Sequence, residues 1–183
     1  MAKSNPGERY RTARTLTVDP RIRRVGFCYF EAALLCDWGI KNLRDDVPAV
    51  RVERLLIPLL VRMLDRFRPT ILLVPDVRRG AVRRSRHVRD VITAIVKEAT
   101  NRDIGVFFVS DAHVRSDFQR AVGGGRPNNY RIEQTIAKWF PELEPWLPRA
   151  RRLWEPEGYA VPLFRAAAQW CAWHGVPPPE SER

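Results

Sequence analysis

Asp19 and Asp76 are the side chains best placed for chemistry. Asp19 closes the short apolar run Leu16-Thr17-Val18 and is followed by Pro20; Asp76 follows the continuous apolar run Ile71-Leu72-Leu73-Val74 and Pro75. Both carboxylates therefore stand at ends of predicted strands, where the backbone is rigid. Carboxylate oxygens are the donors that hard divalent cations require. Pro20 biases Asp19 towards an extended conformation, which holds its side chain at the strand end. Directly after Asp76 comes a basic cluster, Arg78, Arg79, Arg83, Arg84, Arg86 and Arg89, with His87 among them. Guanidinium groups gathered in this way suit phosphate oxygens, which they position without reading sequence. The same residues also admit plainer roles: an Asp-Pro turn starter, and a solvated basic face.

Several elements must position these groups. Leu16–Asp19, Arg24–Ala32 and Leu34–Asn42 predict three strands joined by short turns, an antiparallel meander. A helix follows, with Asp46 as its cap, Pro48 in its first turn, and Val52, Leu55, Leu56, Leu59, Leu60, Met63, Leu64 and Phe67 at helical spacing. Pro58 lies inside it and is expected to kink or split it. Ile71–Val74 predicts a strand buried on both faces. The next helix carries Val88, Val91, Ile92, Ile95, Val96 and Ala99 on one side, and Ile104–Val109 predicts a fifth strand. Residues 111–121 allow a helix without requiring one, and Gly123-Gly124-Gly125 interrupts the chain. Tyr130–Phe140 and Gly158–Trp173 predict further helices.

A meander followed by right-handed α/β crossovers gives a mixed five-stranded sheet of order 3-2-1-4-5 flanked by helices. Strands one and four are then parallel neighbours, and their carboxyl ends form a topological switch point, where ligand sites of α/β sheets tend to lie. Asp19 and Asp76 sit at those two ends. Residues 14–175 are expected to form one domain, preceded by a flexible basic arm (1–13) and followed by a flexible tail (176–183).

The 183 residues carry a formal net charge of +11, with 45% hydrophobic and 29% charged residues. These values predict a globular protein with a polyanionic partner, nucleic acid foremost; an arginine-rich composition is the competing explanation. The longest apolar stretch, Leu55 to Val61, is too short to span a bilayer, and no secretory signal is apparent, so the cytoplasm is expected. Cys28, Cys36 and Cys171 lack disulfide or metal-site spacing and read as buried small hydrophobes.

The stretches Leu16-Thr17-Val18-Asp19-Pro20, Arg24-Val25-Gly26-Phe27 and Leu35-Cys36-Asp37-Trp38-Gly39-Ile40-Lys41-Asn42 resemble the start of RuvC-type Holliday-junction resolvases of the RNase H-like superfamily. The resemblance continues through Asn129-Tyr130, Phe140-Pro141-Glu142-Leu143 and Trp154-Glu155-Pro156-Glu157. It implies an RNase H-like three-layer fold and a nuclease that uses Mg²⁺ or Mn²⁺, with carboxylates from strand one, strand four and the final helix. Two cations about 3.5–4 Å apart activate water and stabilise the leaving oxygen in phosphodiester hydrolysis. It also implies branched DNA as partner and a homodimer matched to the two-fold symmetry of a four-way junction. Asp19 matches the first acidic position. At the second, Pro75 stands in place of the family's glutamate and Asp76 follows one step later. At the third, Arg165 stands where the final helix carries an aspartate, leaving Glu155 and Glu157 as substitutes. If Arg165 points at Asp19, its guanidinium takes over a metal's electrostatic role.

The expected catalytic and metal-binding set is thus Asp19, Asp76, Glu155 and Glu157. The expected nucleic-acid contacts are Arg78, Arg79, Arg83, Arg84, Arg86, Arg89 and Arg126, the last in the glycine-rich loop 121–128, which reads equally as substrate-contacting or as a hinge. Three functions compete: a Mg²⁺- or Mn²⁺-dependent endonuclease acting on branched DNA, a catalytically degenerate relative with a DNA-binding or structural role, and an RNase H-like nuclease acting on RNA or other nucleic acid.

Overall fold

The computed structural model describes residues 13–43, 49–77, 85–123, 125–149 and 158–175. Its five strands are β1 (Arg14–Pro20), β2 (Arg24–Glu31), β3 (Leu34–Asn42), β4 (Ile71–Pro75) and β5 (Gly105–Val109), in the expected order β3-β2-β1-β4-β5. β1 pairs antiparallel with β2, placing Asp19 opposite Gly26, and parallel with β4, placing Thr17 beside Leu73. β4 and β5 are parallel. The carboxyl ends of β1, β4 and β5 therefore share one edge of the sheet.

Alternation sorts side chains onto two buried faces. Leu16, Val18, Val25 and Phe27 pack against α1 (Ala49–Phe67) and α2 (Arg86–Thr100), chiefly Leu56, Leu60, Val91, Ile92 and Ile95. Cys28, Phe30 and Leu73 pack on the other face against α5 (Val161–His174), with α3 (Asp111–Val122) and α4 (Asn129–Trp139) outside it. Side-chain caps fix three helix starts: Ser85 accepts from the Val88 amide, Ser110 from that of His113, and Asn128 from that of Arg131. The Ser110 cap makes residues 111–122 a full helix. A short 3₁₀ helix, Pro141–Trp146, follows α4. Phe140, just before it, packs edge-on against Phe30 and Trp170, so this aromatic stretch closes the core around the terminal helix.

α5 lies deepest. Ala166, Ala167 and Ala168 are all fully buried, and such small side chains let the helix approach the sheet closely. The closest approach is at its first turn. A Cβ at Gly26 would stand 2.1 Å from the carbonyl carbon of Pro162, so only glycine lets the start of α5 rest on β2, in the row that holds Asp19.

Two expectations are corrected. The helix is not split at Pro58: α1 runs through it as one helix. Leu56 and Leu60, on either side of the proline, are both fully buried; burial of one apolar face outweighs the hydrogen bond that proline removes. Cys36 is exposed rather than buried, because Leu34 and Cys36 alternate outwards on the edge strand β3 while Leu35 points in. The expected helix cap, Asp46 with Pro48, lies outside the described residues, as do most of the proposed basic arm and the tail. No helix among the described residues is long and apolar enough to cross a membrane.

Candidate functional site at the carboxyl edge of the sheet

Asp19 has no exposed surface. It shares a face with Thr15 and Thr17, and Thr17 donates to the Cys28 carbonyl on the α5 side at 3.3 Å. Nearby, Gln169 of α5 donates to the Val18 carbonyl at 3.4 Å. The carboxylate is held by its own turn: Arg21 Nε donates to Asp19 Oδ2 at 2.7 Å. Proline at position 20 occupies the last β1 position, opposite Val25, and turns the chain so that Arg21 folds back onto Asp19.

The parallel register brings Leu73 level with Thr17. Two residues further on, Pro75 stands level with Asp19, on the same face by alternation. Asp76 lies one step beyond, past the end of β4. Its amide donates to the Val109 carbonyl at 2.9 Å, tying its backbone to the end of β5, and its side chain is half-buried. The residue level with Asp19 is therefore the proline, and Asp76 follows it outside the strand.

Arg165 does not reach Asp19. Its guanidinium pairs with Asp111, the first residue of α3, and donates to Asn129 Oδ1 at 3.1 Å. Arg115 completes the group: it donates to Asp111 Oδ2 at 2.7 Å, to Asn129 Oδ1 at 2.6 Å and to the Pro127 carbonyl at 2.9 Å. Burial pushes the Asp111 carboxyl up, but the guanidiniums of Arg165 and Arg115 outweigh it and hold the group below the usual carboxylate range. The network staples α3, α4 and α5 together. Arg165 points this way because Leu163, Phe164 and Ala166 fill the sheet side of α5, leaving position 165 on the flank that meets α3 and α4.

Among the described residues, no three His, Cys, Asp or Glu side chains gather as a metal site. Of the acids there, Asp19 is paired with Arg21, Asp111 with two arginines, and Asp76 follows Pro75 past the end of β4. Glu155 and Glu157 lie outside the described residues, as do Arg78, Arg79, Arg83 and Arg84. Arg86 and Arg89 are exposed in the first turn of α2, Arg86 with Asp90 at 3.7 Å, and Arg126 is exposed before α4. His87 faces α1, where Nδ1 meets Glu53 Oε1 at 2.5 Å; it links two helices.

Sequence reasoning did not single out Arg21, Asp111, Arg115 or Asn129. A signal existed for Asp111, an acid directly after a strand like Asp19, with Arg115 four residues on. The pairing with Arg165 spans 54 positions and had none.

The chain matches no protein-family model and no curated protein. Solved structures do match. A Thermus thermophilus RuvC in complex with a Holliday junction substrate superposes with a TM-score of 0.58 at 14% identity, covering 87% of this chain and 91% of that one. Another structure of Thermus thermophilus RuvC gives 0.57 at 18% identity, covering 87% and 92%. The yeast mitochondrial Holliday junction resolvase gives 0.59 at 16% identity, covering 90% and 80%. The fold is therefore the RuvC-like form of the RNase H-like fold.

Proposed function

We propose that this chain is a RuvC-like protein that binds branched DNA at the carboxyl edge of its sheet, and that this edge carries arginine–carboxylate pairs in place of a two-metal centre. The observation that carries this reading is Arg165, bound to Asp111 and Asn129 on the flank of α5. A permanent guanidinium stands where the resemblance expects an acid, and it has been built into the helix packing. The register supports the same reading, since Pro75 rather than an acid stands level with Asp19. The formal charge of +11 supports a polyanionic partner, and one matching neighbour was solved on a Holliday junction substrate. Arg78, Arg79, Arg83, Arg84, Arg86, Arg89 and Arg126 are the proposed phosphate contacts. A homodimer would match the two-fold symmetry of a junction.

A second reading, a Mg²⁺- or Mn²⁺-dependent endonuclease using Asp19, Asp76, Glu155 and Glu157, is favoured by the complete burial of Asp19 at the end of β1. Both readings predict junction binding; they part on cleavage.

Binding is tested by titrating four-way junctions, flaps, RNA–DNA hybrids and linear duplex over a salt series. Affinity for junctions should exceed that for duplex of equal length and fall steeply with salt. Replacing Arg86 and Arg89 together by alanine should weaken all DNA binding and shallow the salt slope by about two contacts. Equal affinity for every form would leave a non-specific basic protein and end the branched-DNA reading.

A further inference from the structure

Beside the Asp19 row lies an aromatic ring that the described fold leaves half in solvent. Tyr159 precedes α5 and is 51% exposed, yet it is firmly held. The Arg24 guanidinium lies over its ring, 5.5 Å from the centroid, and Arg24 Nη1 donates to the Tyr159 carbonyl at 3.3 Å. Asn42 Nδ2 donates to the phenolic oxygen. Arg24 and Asn42 are cross-strand partners on β2 and β3, so the ring is fixed by two strands at once. Arg24 lies on the same face as Gly26, the partner of Asp19, two residues further out along β2. The β1–β2 turn alongside exposes Ile22, 53% in solvent, between the half-buried Arg21 and Arg23.

The entry to α5 is anchored by Pro162 on Gly26, and Tyr159 stands outside it. An immobilised, half-exposed aromatic ring, backed by a guanidinium, has the chemistry of a stacking surface for an unpaired base. We infer that Tyr159 is a base-stacking platform, where β2 begins and β3 ends, for the single-stranded part of a bound nucleic acid. This inference deepens the proposed DNA binding and rests on it.

The test is a double-mutant cycle with the full chain. Fluorescence anisotropy measures binding of a labelled single-stranded DNA oligonucleotide and of a set in which each position in turn is abasic. Wild-type protein should lose about tenfold in affinity at one abasic position. Tyr159→Ala should lose a similar factor on the intact oligonucleotide and nothing further at that position, with an unchanged salt slope because no phosphate contact is removed. Tyr159→Phe, which keeps the ring and the fold, should bind within about twofold of wild type. If Tyr159→Ala and wild type respond alike to every abasic substitution, the platform is overturned while DNA binding stands. Equal losses in Tyr159→Phe and Tyr159→Ala would also overturn it, since the ring would not be the cause. Wild-type protein that binds no DNA overturns the platform and the proposed function together.

Discussion

Asp19 and Asp111 are both acids at the carboxyl edge of one sheet, both paired with arginine, and the pairs are built differently. Asp19 is fully buried and takes its guanidinium from Arg21, two residues away in the same turn. Asp111 is partly exposed and is held by Arg115 from its own helix and Arg165 from another. The first pair is local: the chain makes it wherever the turn forms. The second is tertiary: it exists only once α3, α4 and α5 have docked. Burial sets their energetics in the opposite order. Removing a hydrogen-bonded cation from a deeply buried carboxylate costs more than loosening a half-solvated one, so the Asp19 corner is the more sensitive and the Asp111 corner the more structural.

The largest effect should come from the packing that encloses Asp19. Gly26→Ala puts a Cβ into the backbone of Pro162 and should cost at least about 3 kcal/mol, read as a lowered denaturant midpoint. A loss below about 1 kcal/mol would mean that α5 does not rest on β2 as described. Next, Arg21→Ala withdraws a hydrogen-bonded cation from the buried Asp19 and should cost about 3 kcal/mol, whereas Arg165→Ala should cost about 2 kcal/mol, the scale of hydrogen bonds to charged groups. The reverse ranking in urea unfolding would break the comparison.

The smallest effect is one of pH. The folded-state pKa of Asp111 is depressed, so its pairing stabilises the fold above the ordinary carboxylate range and loses that contribution as pH falls through the folded pKa. Unfolding curves collected between neutrality and strongly acidic pH should show a weaker acid dependence for Asp111→Asn than for wild type. Superimposable acid limbs would contradict the assigned cause.

Most of the sheet was legible because its signals are local. Apolar runs bounded by turn residues gave β1 to β5, and the crossover rule gave their order. The placement of Asp19 followed from the same logic; Pro75 in the family's acidic position came from the resemblance, and its level with Asp19 from the β1–β4 register. What escaped was decided by packing between distant segments. Nothing near Arg165 announces Asp111, and nothing near Gly26 announces Pro162, its contact more than a hundred residues later. The split at Pro58 and the burial of Cys36 fail for related reasons: one is carried by the buried face of its helix, the other turned outwards by its place on an edge strand.

The central claim is that the arginine-paired edge binds branched DNA without cutting it. The direct measurement is incubation of a labelled four-way junction with the protein and Mn²⁺, with chelator and Asp19→Asn as controls, resolved on a denaturing gel. The account predicts a bound and intact junction under all conditions. Strand cleavage that requires Mn²⁺ and disappears in Asp19→Asn would contradict it and establish the endonuclease.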